Sequence, residues 1–500
     1  MNRRIASRAA LAFVFAAAGC ATAADLGRAP AAPLPQADDA YFTAAATRLD
    51  EIGAPPAQAK NVILFIGDGM GVSTVTAARI FAGQAQGLDG ESFELTMDTA
   101  PHTALSRTYS HDFQIADSAA TATAMTTGAK TRSGVIGLSS AADRADCASA
   151  QGEGMTTLFE LAEGAGLATG VVSTARITHA TPASVYAHVP ERNWESDAEV
   201  PEESRGQCPD IARQLIEWPA GDGLEIALGG GRAFFLPETA EDPEHAGRMG
   251  SRTDDRDLAA EWAAKSDAHA FVWSAEQLAA ADIDGGARVL GLFSPSHMAY
   301  EADRAGDEGG EPSVAEMTAA AITRLSQNPD GFVLMVEGGR IDHGHHAGNA
   351  ARALSDAVAF DDAIATALSM TSREDTLILA TADHSHTFTI AGYAERGNPI
   401  LGLSAIGGRP LRGEDDLPYT TLGYSNGPGA LEAHPRPDLS DVDVEALDFR
   451  QQSTVPLGSE THGGEDVAIY AWGPGAEAVR GTLEQNVIFH ILARAAGLAE

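Results

Sequence analysis

Residues 62–71 read VILFIGDGMG: an unbroken apolar run from Val62 to Ile66 enters Gly67-Asp68-Gly69. A run with no alternating polar positions predicts a strand buried on both faces, as in a parallel sheet covered by helices. Glycine on either side of Asp68 lets the chain turn tightly and approach a ligand closely. A Gly-Asp-Gly tripeptide alone marks a plain turn more often than a site. What matters is whether other strands end in the same way.

Several do. Apolar runs at Gly170–Ser173, Leu224–Leu228, Val289–Phe293, Phe332–Val336 and Thr376–Thr381 alternate with helical stretches. One such stretch, Arg352 to Leu368, carries Leu354, Ala357, Val358, Ile364 and Leu368 on one face. The expected fold class is α/β: a large central, mostly parallel β-sheet with helices on both faces. Phe332–Val336 runs into Glu337, and Thr376–Thr381 runs into Asp383-His384, so parallel pairing would gather Asp68, Glu337 and Asp383 at one edge of the sheet. Residues 390–455 break the rhythm with many Gly and Pro and read as an insert riding on the core.

Residues 336–346, VEGGRIDHGHH, add a dense set of ligand types. Asp342 and His346 are spaced i, i+4, and a carboxylate with an imidazole suits zinc. Taken alone the segment also reads as a solvated polar loop, and His345 is expected to be solvated. Asp68, Glu337, Asp342, His346, Asp383, His384 and His462 together exceed the needs of one tetrahedral ion. Mixed His and Asp sets favour zinc, and an all-oxygen set favours magnesium. A two-metal arrangement points to in-line phosphoryl displacement. Ser118, in the segment 115–122 (IADSAATA), falls at the start of a small-residue helix, as a nucleophile would; the plain structural alternative is a helix N-cap.

Length and composition bound these readings. The 500 residues, 44% hydrophobic, can bury a large core, and the formal charge of −37 argues against nucleic acid as a partner. Against that charge, an anionic substrate would need local metal charge to bind. Residues 1–24 place Arg3, Arg4 and Arg8 before the apolar run Ala9–Ala18, a secretory signal pattern, so the protein is expected in the periplasm or outside the cell. Two cleavage readings compete: one leaves a lipidated Cys20 and so a lipid tether, the other cuts after Ala21-Thr22-Ala23. Residues 25–58 read as a tether and an N-terminal arm helix over Asp38–Ile52 capped by Asp38 or Asp39, and 59–500 as the catalytic domain. Cys147 and Cys208 are expected to form a disulfide in an oxidising compartment, the alternative being two buried thiols.

The segments 66–71 (IGDGMG), 117–131 (DSAATATAMTTGAKT), 179–188 (HATPASVYAH), 336–346, 381–386 (TADHSH) and 460–471 (ETHGGEDVAIYA) together resemble the alkaline phosphatase family in order and spacing. The likeness runs from about Tyr41 to the C-terminus. The animal-type version is nearer, because His179 and His343 stand where the enteric bacterial type has Asp and Lys. The resemblance implies hydrolysis of phosphate monoesters through a phosphoserine on Ser118. It implies one zinc held by Asp342, His346 and His462, a second by Asp68, Asp383 and His384, and one magnesium by Asp68, Thr181 and Glu337. Arg192 would grip phosphate oxygens, with Asp117 orienting it; His179, His343 and His386 would act around the ligands. It also implies the Cys147–Cys208 pairing and a homodimer embraced by the arm helix. A fourth, calcium site of animal-type members is not expected, since Ser294 stands where Glu would be. The competing functions are a phosphodiesterase or sulfatase on the same fold and a secreted phosphate- or metal-binding protein without turnover. The reacting centre implied by the resemblance would grip only the phosphoryl group of the ester.

Overall fold

The computed structural model describes residues 28, 32–55, 57–430 and 436–499. Residues 1–24, read above as a secretory signal, and with them Cys20, lie outside the described residues. The eight strands numbered here in chain order are β1 (Asn61–Gly67), β2 (His102–Arg107), β3 (Ala168–Arg176), β4 (Ile226–Gly230), β5 (His269–Val272), β6 (Arg288–Leu292), β7 (Phe332–Gly338) and β8 (Thr376–Ala382). With Val467–Trp472 and Gly481–Glu484 they form a ten-stranded sheet in the order Gly481–Glu484, β2, Val467–Trp472, β8, β1, β7, β3, β4, β6, β5. Within this sheet only Val467–Trp472 runs against the rest, pairing antiparallel with both β8 and β2.

The apolar runs form strands because both faces of the sheet are covered. Ile63 and Phe65 of β1 point into one core with Val75, Leu354 and Phe360. Val62, Leu64 and Ile66 point into the other with Leu158, Phe159 and Phe489. All six strands expected from apolar runs are present, with the Leu224–Leu228 expectation displaced toward Ile226–Gly230. The half-buried β2, the four-residue β5 and the strands after residue 460 were not among those expected.

The site is positioned by register. β1 is flanked by β7 and β8, with Gly67 opposite Gly338 on one side and Ala382 on the other. β3 continues the row, placing Ser173 opposite Glu337. Strand order reverses at β1, the place where open α/β sheets bind ligands beyond their carboxyl ends.

The arm helix spans Ala40–Ile52 and is capped by Asp39, whose side chain accepts hydrogen bonds from the backbone N–H groups of Tyr41 and Phe42. It buries Ala45, Leu49 and Ile52, and its Phe42 ring lies 5.8 Å from that of Phe489 in the C-terminal helix Val487–Ala495. Within the 390–455 region, Leu422–Gly427 pairs with Phe388–Ile390 and Ser453–Pro456 in a small separate sheet. Cys147 and Cys208 are joined as a disulfide, with Cα atoms 5.9 Å apart.

Candidate metal centre and nucleophile

The turn after β1 delivers Asp68, and Gly69 adopts φ +66°, where a side chain would run into His386. Gly69 donates its N–H to Asp383 Oδ1 at 2.9 Å, tying the end of β1 to the end of β8. Helix Ser118–Thr127 begins beside them. Its N-cap is Asp117, which accepts from Ala120 N, so the capping role does not fall on Ser118. Ser118 is left at the first helical position, with Oγ 3.3 Å from Asp68 Oδ1 and 3.2 Å from His384 Nε2. His384 Nε2 in turn lies 3.3 Å from Asp383 Oδ2.

Residues Arg340–His346 form a helix rather than a loop. One turn of it brings His346 Nε2 within 3.3 Å of Asp342 Oδ1, and His462 Nε2 approaches the same oxygen at 3.5 Å. The tautomers follow from the opposite ring edges. His346 Nδ1 donates to Glu460 O at 2.6 Å and His462 Nδ1 to Ala116 O at 2.8 Å. Both Nε2 lone pairs therefore face a carboxylate oxygen and each other, an arrangement that repels itself unless a cation stands among them.

A third set lies on the other side of Asp68. Asp68 Oδ2, Glu337 Oε1 and Thr181 Oγ1 are buried and have no hydrogen-bond partner, although such atoms are normally satisfied. The second oxygen of Glu337 accepts from Ser173 Oγ. These orphaned oxygens fit a hard cation such as magnesium, and the imidazole and carboxylate sets fit zinc.

The electrostatics agree with that fit. Burial, and then the charges of Asp383, Asp342 and Glu337, push the Asp68 carboxyl well above its usual range. Burial lifts Glu337 to about 7 and raises Asp383. Burial also pushes Asp342 upward, but His346, His386 and His462 together hold it well below the ordinary value. His384 is driven well down by burial. Carboxylates crowded in a dry site beside neutral imidazoles are what cations would relieve.

Around this cluster, Arg192 Nη1 donates to Asp117 Oδ2 at 3.0 Å, and Nη2 donates to His179 Nε2 at 3.2 Å. Arg340 Nη1 donates to His343 Nδ1 at 3.1 Å. His386 bridges Asp342 Oδ1 at 2.8 Å and Glu460 Oε2 at 2.5 Å. All the residues singled out in the sequence for metal or substrate thus converge at one end of the sheet. His345 departs from expectation: it is fully buried and not solvated, held by Thr74 Oγ1 and Tyr424 OH at 2.9 Å each. Ile341 and His345 share the inward face of their helix, and that i, i+4 pairing was the overlooked signal. Glu460, Ser173 and His297 were also missed. The His297 ring packs against that of His343 at a tilt of 56°, with ring centres 4.0 Å apart. Ser294 contributes its carbonyl oxygen to Gly231 N and Arg232 N, while the Arg232 guanidinium donates to Asp242 and Glu244 nearby.

A helix-start serine, a guanidinium and three cation-ready ligand sets at the carboxyl ends of parallel strands define a metal-binding hydrolase of the α/β class. The comparisons make this specific. The family model described as alkaline phosphatase matches residues 59–498. The chain is 45% identical over 447 residues to the tissue-nonspecific alkaline phosphatase of Gallus gallus, covering 88% of this chain and 84% of the relative. It is 44% identical over 450 residues to the alkaline phosphatase of Gadus morhua, covering 89% and 93%. The solved alkaline phosphatase of Thermus thermophilus superposes with TM-score 0.64 at 26% identity, covering 89% of this chain and 92% of that one. A mutant of the alkaline phosphatase from the Antarctic bacterium TAB5, solved with Mg bound in its M3 site, gives TM-score 0.61 at 26% identity, covering 89% and 99%. This chain belongs to the alkaline phosphatase family and is a hydrolase of phosphate monoesters.

Proposed function

We propose that the chain is an exported alkaline phosphatase that hydrolyses phosphate monoesters through a phosphoserine on Ser118, at a centre of two zinc ions and one magnesium. The convergence of Asp342 Oδ1, His346 Nε2 and His462 Nε2 carries this reading, because three lone pairs within 3.5 Å call for a cation. Asp342, His346 and His462 would hold one zinc, Asp68, Asp383 and His384 the other, and Asp68, Thr181 and Glu337 the magnesium. Bound zinc would supply Lewis acidity that favours the serine alkoxide and offsets negative charge on the departing oxygen.

The residues divide the remaining work. Ser118 Oγ forms the bond to phosphorus as the ester P–O bond breaks, and the helix N-terminus beneath it favours the anion. The Arg192 fork, aligned by Asp117, takes two phosphoryl oxygens. His179, half-buried and kept neutral beside Arg192, offers a lone pair to that guanidinium without competing for the anion. Burial likewise lowers His343, to about 3, leaving it uncharged at the edge of the site.

Export is supported by the 1–24 pattern and by the Cys147–Cys208 disulfide. A two-fold dimer is supported by exposed apolar side chains at Leu105, Tyr109, Phe113 and Ile115. Metal analysis paired with turnover of an aryl phosphate monoester and diester tests the proposal. Two zinc and one magnesium per chain with monoester preference is the expected result; a metal-free protein active on the diester would end it.

A further inference from the structure

Glu460 lies between two parts of the site that the sequence treats separately. Its side chain is 1% exposed, with no solvent to screen it. Its carboxylate accepts the Nδ1 hydrogen of His386 at Oε2, 2.5 Å away, and the N–H and Oγ1 hydrogens of Thr387 at Oε1, at 2.7 and 2.6 Å. Every hydrogen bond of that carboxylate is with the segment following Asp383-His384, and His346 Nδ1 lies 4.0 Å from Oε2. The Nε2 of His386 is turned onto Asp342 Oδ1 at 2.8 Å. The backbone of Glu460 reaches elsewhere: its carbonyl oxygen takes the Nδ1 hydrogen of His346 at 2.6 Å, and its N–H donates to His346 O at 3.0 Å. Two residues further on stands His462.

The 390–455 region holds the same loop from outside. Asn426 accepts from Thr461 N at 3.0 Å and donates to Thr461 Oγ1 at 2.9 Å. Gly427 adopts φ +129° directly against Glu460, where an added Cβ would sit 3.0 Å from the Glu460 Cβ. A side chain at 427 would therefore crowd Glu460.

The geometry points to Glu460 as the positioning residue for the site of Asp342, His346 and His462, one that we infer sets metal retention at that site and leaves the Asp68, Asp383 and His384 site alone. It touches no reacting atom. Its carbonyl fixes the His346 tautomer, so that Nε2 carries the lone pair, and its carboxylate holds the His386 ring, which donates from Nδ1 to Glu460 and from Nε2 to Asp342, in the plane that orients Asp342. A carboxylate or carbonyl behind a ligating imidazole typically tunes metal affinity by about 10- to 100-fold. The inference rests on the zinc reading proposed above.

The test is zinc release from the full-length protein into a colorimetric chelator, recorded for the parent, Glu460→Gln, Glu460→Ala and His386→Asn. The parent should release two zinc ions in slow phases. Glu460→Gln keeps the side-chain volume, and so serves if Glu460→Ala does not fold; in it one ion should leave about 10-fold faster or more while the other keeps the parental rate. The pair Glu460→Gln with His386→Asn should be no faster than the more affected single variant, since both act through Asp342. Parental rates for both ions in Glu460→Gln would overturn the inference and leave the zinc reading standing. Equal acceleration of both ions would also overturn it, by showing general loosening. A parent that holds no zinc under saturating conditions would remove the zinc reading and the inference together.

Discussion

The Nε2 atoms of His346 and His462 face each other at 3.2 Å, and each ring has already given its Nδ1 hydrogen to a backbone carbonyl. Neutral imidazoles do not choose that contact, least of all around a shared carboxylate oxygen. The fold holds it because His346 is fixed by one helix turn and His462 by a short strand paired with Ser385–His386.

Metal removal should therefore weaken the fold as well as the activity. Stripping with a chelator is expected to lower the thermal midpoint, and zinc at about 1,000 times its Kd would restore about 4 kcal/mol per site. Differential scanning calorimetry with and without zinc checks this; an unchanged midpoint would mean the three lone pairs tolerate one another.

Ser118→Ala should separate chemistry from structure. Because Asp117 caps the helix, losing the Ser118 hydroxyl is expected to cost less stability than the ~1 kcal/mol of a lost N-cap. Turnover of an aryl phosphate should fall at least ~1,000-fold. Retained turnover would contradict the nucleophile assignment, and a large loss of stability would mean the hydroxyl serves the helix.

Arg192→Lys keeps the charge but loses the planar fork, so it should behave more like Arg192→Ala than like the parent. Loss of a charged hydrogen-bond pair worth about 1.5–3 kcal/mol corresponds to roughly 10- to 100-fold in kcat/KM. Asp117→Asn, which preserves a good capping side chain, should lower kcat/KM in the same direction with the helix intact by circular dichroism.

Much of this fold and site is legible in the sequence. Unbroken apolar runs such as Val62–Ile66 report strands buried on both faces, and the carboxylates placed just after them report the site, because parallel register carries strand ends together. Less was legible where a role depends on what a residue meets in space. His345 sits in a run of histidines that looks uniformly polar, yet its helix turns it inward onto Thr74 and onto Tyr424 from the 390–455 region. Glu460 had no strand to mark it, and its partners His386 and His346 are 74 and 114 positions away. The run Val467–Trp472 is as unbroken and apolar as Val62–Ile66, but nothing in it marks that it pairs antiparallel in the sheet.

Stability should fall as pH rises from about 4.5 to about 8 for a reason outside the active centre. Burial lifts the Glu163 carboxyl to about 8, with Glu225 and Asp222 adding to the rise. The folded value lies above the unfolded one, so the contribution is full below about 4.5 and is lost as pH rises through about 8. Glu163→Gln removes the titration. Its thermal midpoint should drop less than the parent's between pH 6 and 9, and parallel curves would exclude Glu163 as the source.

The most direct test of the whole account is to quench the turning-over enzyme in acid with a labelled phosphate monoester and map the label by peptide mass spectrometry. The account predicts phosphate on Ser118 in the peptide containing residues 117–131, absent from Ser118→Ala. Label on another residue, or steady turnover with no phosphorylated peptide, would contradict it.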